Sequence, residues 1–132
     1  MTPRASKGYT AGTEPPMPEM RIVKEPISRT DLAAIATERF GDLVKAVVDV
    51  RLRLMAIGGE LHADEEQALL EQGSAQADLW GINLYPERQG EDWLEYDSMI
   101  NIRPSAGNRS REVEEEGVRK LIKEIVAEKI TG

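Results

Sequence analysis

The chain has 132 residues, with 24 acidic side chains against 17 lysines and arginines, a net charge of −7 and no cysteine. That length suits one domain with a sizeable core, and the missing cysteines exclude disulfide frameworks, thiolate metal sites and cysteine nucleophiles. The acidic balance argues against nucleic acid as a partner, because phosphate contacts dominate that affinity, and no apolar run is long enough to span a bilayer.

Residues 1–19 hold four of the seven prolines (Pro3, Pro15, Pro16 and Pro18) and no apolar periodicity. Such a segment cannot offset its own ordering entropy, so it reads as a disordered leader before a single domain over residues 20–132. It has no apolar stretch of the kind a secretory signal needs, which makes the cytoplasm the expected location.

Residues 20–24 (MRIVK) predict a short strand ended by Pro26. Ser28 followed three residues on by Asp31 is a helix start. Leu32, Ile35, Ala36 and Phe40 fall on one face of that helix, and Gly41 supplies its stop. Residues 43–57 are rich in valine and leucine and too long for one strand, so they predict a hairpin turning near Arg51, Leu52 and Arg53, although these are weak turn formers. Gly58 and Gly59 break the second strand. Asp64, Glu65, Glu66 and Gln67 then open a second helix with another capping-box pattern, which carries Leu69 and Leu70 and stops at Gly73.

Residues 79–85 predict a strand, and residues 86–92 a polar connection. Residues 93–103 predict the returning strand, ended by Pro104. Its alternation sets Trp93, Glu95, Asp97, Met99, Asn101 and Arg103 on one face, against Leu94, Tyr96, Ser98, Ile100 and Ile102 on the core side. The preceding strand splits Leu79, Gly81, Asn83 and Tyr85 from Trp80, Ile82 and Leu84. The last helix covers residues 115–130, with Val118, Leu121, Ile122, Ile125, Val126 and Ile130 as its buried stripe. The order β-α-β-β-α-β-β-α, with short hairpin links, predicts an α+β domain in which three helices pack on an antiparallel or mixed sheet of about five strands.

Two polar clusters stand out. His62, the lone histidine, sits between Gly58-Gly59 and a run of carboxylates that includes Asp64 and Glu65. Histidine beside carboxylates suits acid-base chemistry, but without a second histidine no two-histidine metal motif can be built, so neither a metal nor another cofactor is expected. The plainer reading is a capped helix with a locally bonded histidine. The second cluster is Asn101, Arg103, Asn108, Arg109 and Ser110, joined by Arg111, in a loop rich in small residues. Arginine forks grip phosphate or carboxylate at two points, which makes this loop a candidate anion site. The plainer reading pairs these arginines with Glu112 and Glu114 to Glu116 or with the acidic second helix. Asn83 joins the polar face if it shares a side with Asn101 and Arg103. A triad of Ser98, His62 and Asp97 can be assembled on paper, but no G-x-S-x-G elbow supports it.

The words GDLVKAVVDV, GGELHADEE with LLEQGS, DLWGINLYPE and SMINIRPSAGNRSREVE together resemble a small bacterial family of proteins of unknown function, number 5674. The resemblance runs from about Met20 to Ile130. It implies that Gly58, Gly59, His62, Asp64, Asn101, Arg103, Asn108, Arg109 and Ser110 are signature positions, and it implies no activity. Three functional readings follow. In the first, both clusters form one pocket that binds a small anionic ligand or a partner's carboxylate, with Arg103, Asn108 and Arg109 as donors and Asn101 and Ser110 beside them. In the second, the same pocket is a hydrolase with His62 as acid-base. In the third, the clusters are internal clamps of a subunit that works with a protein partner or as a homo-oligomer.

Overall fold

The computed structural model describes residues 20–132, so the predicted leader lies outside the described residues. Among the described residues the architecture is α+β, with a five-stranded, fully antiparallel sheet and three α-helices. Strand β1 is Arg21–Ile22, β2 is Ile27–Ser28 and helix α1 is Arg29–Arg39. Strands β3 (Val44–Asp49) and β4 (Leu54–Ile57) precede α2 (His62–Glu71). Strands β5 (Leu79–Leu84) and β6 (Leu94–Glu95) precede α3 (Glu116–Lys129), and β7 (Ile130–Thr131) ends the chain. The main sheet has the order β1-β4-β3-β5-β6, while β2 and β7 form a separate parallel pair. That pair is short and non-local, and no periodicity announced it.

Several elements form for the reasons their residues suggest. Ser28 caps α1, its Oγ accepting the Asp31 amide at 3.0 Å. Gly41 adopts a positive φ of 95° and donates to the Ala36 carbonyl, closing the helix end. The β3–β4 hairpin turns through residues 50–53, with Arg53 in the left-handed region at φ 57°. Asp49 makes this turn from weak turn formers. Its Oδ1 accepts the amides of Arg51 and Leu52, both at 2.8 Å, and its Oδ2 accepts the Ser74 hydroxyl at 2.6 Å.

The two sheet faces carry separate apolar clusters. Val44, Ala46, Val48, Met55, Ile57, Trp80, Ile82 and Leu84 pack with Leu32 and Ala36 of α1 and Ile122, Ile125 and Val126 of α3. On the opposite face Val47, Ala56 and Leu79 pack with Leu69 of α2. The predicted split of β5 into two faces is therefore the observed one. Helix α2 and, beside it, the later segment around Ile100 cover the second face, and a cleft lies between them. Leu121 departs from its expected place on the buried stripe of α3: it lies at the stripe's edge and is exposed.

Two predicted elements differ. Helix α2 begins at His62, with Leu61 as its N-cap and no side-chain cap, so Asp64 is not the capping residue. The Asp64 and Glu65 amides already bond the Leu61 carbonyl. Glu65 turns inward instead, fully buried, and its Oε2 accepts the Gly59 amide at 2.9 Å. The returning strand of residues 93–103 keeps only Leu94–Glu95 as strand. Beyond Tyr96 the chain makes 3-10 turns at Met99–Asn101 and Pro104–Ala106. There Ser98 Oγ caps the Ile100 amide, and Ile100 packs on the α2 face, opposite to its predicted side.

Candidate functional site

Where β6 stops, the edge of β5 at Gly81 would be left without a partner. The Asn101 side chain supplies one. Its Oδ1 accepts the Gly81 amide at 2.8 Å, and its Nδ2 donates to the Gly81 carbonyl at 3.0 Å and to the Arg111 carbonyl at 2.9 Å. A primary amide offers the same donor and acceptor as a peptide unit, so one side chain stands in for the missing strand. Asn108 does similar work within the following loop. Its Nδ2 donates to the carbonyls of Asn101, Ser110 and Glu112, and its Oδ1 accepts the Glu114 amide at 2.9 Å.

Arg103 is spent on main chain as well. Its guanidinium donates to the carbonyls of Gln76 (2.6 Å) and Leu79 and lies 4.3 Å from the centre of the Trp80 ring. Burial pushes its pKa down. The amides of Arg109 and Ser110, two residues of the candidate anion loop, bind the chain's own Glu114. The Glu114 Oε2 accepts both, at 3.0 and 2.9 Å, and hydrogen bonding at Ser110 leads the causes that lower its pKa. The loop thus holds a carboxylate, and the carboxylate is internal.

His62 lies elsewhere, in a cleft of about 270 Å³ on the open part of the second sheet face. Lys45 of β3, Asn83 of β5, Asp97, Ser98 and Arg111 share its lining, so Asn83 and Arg111 join His62 there. Arg103, Asn108, Arg109 and Ser110 are not among the lining residues, and Asn101 stands behind the cleft, reaching it only through the strand edge it completes. Gly81 lets the walls close. A Cβ there would sit 2.5 Å from the Ser98 side chain and 3.2 Å from His62 Cδ2. Of the supporting residues, Gly58 and Gly59 shape the approach to α2, and Glu65 secures that approach from below. Asp64 faces a separate shallow groove along α2 that also involves Arg39 and Gln67.

The electrostatics of the cleft follow from its packing. His62 Nε2 lies 2.8 Å from the Ile82 carbonyl, which can only accept, so this nitrogen carries the proton and Nδ1 keeps the lone pair of the neutral ring. Burial is the largest cause lowering the His62 pKa; the Ile82 carbonyl and the Asn83 side chain oppose it, and the charge of Lys45 adds to it. Asn83 is itself buried. Its Nδ2 donates to Glu95 Oε1 at 2.9 Å and to the Asp97 carbonyl at 3.3 Å, while Oδ1 has no hydrogen-bond partner among the described residues. Arg111 bonds Asp97 through Nε at 2.5 Å, which leaves its outer guanidinium nitrogens for another acceptor. Lys45 donates to the Glu60 carbonyl at 3.0 Å. Glu65 lies close to Lys45, yet burial raises its pKa well above the ordinary range.

Ser98, His62 and Asp97 do meet in this cleft, but not as a relay. His62 Nε2 is engaged by a main-chain carbonyl, Ser98 is almost fully buried and caps a 3-10 turn, and Asp97 pairs with Arg111. Among the described residues, no three histidine or carboxylate side chains gather as a metal would require, and no helix is long and apolar enough to cross a membrane.

Residues 21–129 match the model of a family described as protein of unknown function (DUF5674). The chain belongs to that family. No curated protein matches it, and no solved structure does. In this DUF5674 protein the matched segment contains the whole cleft and the Asn101–Asn108 framework, so the site is part of the family's domain and not an appendage to it.

Sequence reasoning missed Lys45 as a member of the site and gave Arg111 no role apart from the loop. Lys45 and Asn83 are directly paired across β3 and β5, which a correct register would have revealed. For Arg111 the signal was absent, because its position depends on where β6 ends.

Proposed function

We propose that this domain is a binding module for a small ligand, or a segment of a partner, that carries an anionic group. The observation behind it is the N-terminus of α2, which opens onto the cleft without a side-chain cap. The first amides of a helix have no acceptor within it, and the helix dipole adds partial positive charge at that end. Lys45 and Arg111 flank the same opening, and the neutral His62 lies between them. Asn83, buried beside His62 and bonded through Nδ2 to Glu95 and the Asp97 carbonyl, forms the floor between them. In this reading Asn101, Arg103 and Asn108 hold the frame, and Lys45, Arg111 and the His62 and Ala63 amides contact the ligand.

The test is a titration of the full chain with acetate and with inorganic phosphate, followed by amide NMR. The reading expects saturable shifts at His62 and Ala63, weakened in Arg111→Ala, whose ion pair with Asp97 is exposed and contributes little to stability. Shifts scattered over lysines and arginines without saturation would refute it. The hydrolase reading draws on the same cleft with His62 Nδ1 as base. It requires turnover of a bound ester or amide that His62→Gln abolishes while binding persists.

A further inference from the structure

Strand β6 is the last in the sheet, and its pairing with β5 fixes which way its backbone groups point. Tyr85 donates to the Trp93 carbonyl and Asn83 stands opposite Glu95, so Trp93 and Glu95 turn their backbone toward β5. Leu94 and Tyr96 therefore turn theirs outward, where these N–H and C=O groups have no hydrogen-bond partner among the described residues. Side chains alternate in the same way. Leu94 and Tyr96 lie on the face packed by α3, and with Trp93, Val126 and Ala127 they line an apolar groove of about 320 Å³. Glu95 lies on the other face beside Asn83. Its Oε1 accepts Asn83 Nδ2 and the Tyr85 hydroxyl, while Oε2 has no partner among the described residues. Residues 93–96 hold neither the lysine nor the proline that commonly blunts an exposed strand edge.

We infer that the free edge of β6 takes up an extended segment of a partner protein as a further antiparallel strand, with the side-chain pattern apolar–basic–apolar. This goes beyond the anion reading and does not depend on the α2 N-terminus. In antiparallel pairing the partner residues opposite Leu94 and Tyr96 exchange N–H and C=O bonds with them. Directly opposed residues share a face, so the side chains of those two residues enter the groove beside α3. The residue between them faces the other side, where a lysine or arginine meets the open carboxylate oxygen of Glu95. Main-chain bonds supply affinity in this mode of recognition, and the sites for alternate side chains select the sequence.

The probe is the blocked peptide acetyl-Thr-Leu-Lys-Leu-Thr-amide, which carries no carboxylate for the His62 cleft, titrated into the full chain with amide NMR. Saturable shifts at Leu94 and Tyr96 are expected. N-methylation of either leucine should weaken binding about tenfold, because it removes a hydrogen bond to the edge. N-methylation of the lysine, whose N–H points away from β6, should leave binding unchanged. Ala127→Leu fills the groove from an exposed position on α3 and should abolish binding. Glu95→Gln should weaken the lysine peptide about threefold, as for a solvent-exposed ion pair, and leave a norleucine version unaffected. Equal loss at the leucine and lysine positions, or loss at neither, overturns the proposal. Unaltered binding by Ala127→Leu overturns it too, as do shifts centred on His62 and Ala63 in place of Leu94 and Tyr96. A dimer of the chain alone that Ala127→Leu dissolves would give the edge to a second copy and overturn it as well.

Discussion

Replacing Asn101 by alanine separates a framework role from a ligand-binding one. The substitution removes the side-chain groups that, among the described residues, satisfy the Gly81 amide and carbonyl at the edge where β6 has ended, and with them one bond to the Arg111 carbonyl. An orphaned buried backbone group costs about 1–3 kcal/mol. Water entering at a strand edge offsets part of that, so the expected loss is about 3–5 kcal/mol out of a typical total of roughly 5–15. In a domain of this size such a loss lowers Tm by more than about 10 °C. Urea unfolding followed by the fluorescence of Trp80 and Trp93 measures it. Asn101→Asp sharpens the test, since a carboxylate can accept the Gly81 amide but donates nothing and faces two carbonyl oxygens. Those oxygens disfavour the charged form and raise the pKa of the new carboxyl in the folded state, so its deficit shrinks as pH falls and the acid gains a proton to donate. Both variants melting within about 0.5 kcal/mol of the parent, with ligand binding lost, would refute the framework role and make Asn101 a binding residue.

Gly81→Ala should cost about 1–3 kcal/mol, the usual result of overpacking, because its Cβ meets Ser98 at 2.5 Å. Adding Ser98→Gly to it should cost less than the sum of the two single changes, whereas strict additivity in urea melts would count against the contact. Arg103→Lys should destabilise nearly as much as Arg103→Ala, since an ammonium cannot reproduce a fork that reaches both the Gln76 and Leu79 carbonyls; full rescue by lysine in a thermal melt would contradict that geometry. The remaining prediction concerns pH and has two opposite signs. His62 has a folded pKa below its unfolded value near 6.5, so the unfolded chain binds more protons in that interval and stability rises with pH across it. Glu65 has a folded pKa raised well above 4.5, so the native state holds the extra proton and stability falls as pH rises from 4.5 through the folded value. Glu65→Gln, which resembles the neutral acid, should therefore match the parent in mild acid and exceed it at alkaline pH. An unchanged difference at every pH would show that Glu65 is ionised in the folded protein.

The sequence was informative wherever local chemistry and burial agreed. Ser28 and Asp31 place the start of α1 because the cap forms within four residues, and Val118, Ile122, Ile125 and Val126 place α3 because their spacing is helical. The β3–β4 hairpin was legible from its valines, but its turn was not, because the residue that makes it is the buried Asp49 just before it. Helix α2 was misplaced at its start for a comparable reason. Asp64-Glu65-Glu66 has the look of a capping box, yet Glu65 is drawn inward to the Gly59 amide and the cap falls to Leu61, which has no side-chain group to offer.

The alternation over residues 93–103 misled for a deeper reason, and that reason also explains the site. Alternation records which side chains are apolar, not which backbone groups pair. After Glu95 the sequence still alternates, but the pairing passes from main chain to the Asn101 amide. An amide side chain is longer than a peptide unit's own reach, so the backbone that carries it must stand off from β5. The chain therefore leaves the strand and crosses over the second face at Ser98, where Ser98, Asp97 and Arg111 wall the cleft opposite His62. Had β6 continued as predicted, it would have run beside Gly81 in the plane of the sheet, and Ser98 and Ile100 would not have crossed onto the second face to wall the cleft. The cleft exists because one strand ends early. The residue that permits the ending, Asn101, was read from the sequence as a ligand donor, since a polar side chain near a loop offers the same signal whether it replaces a strand or greets a ligand.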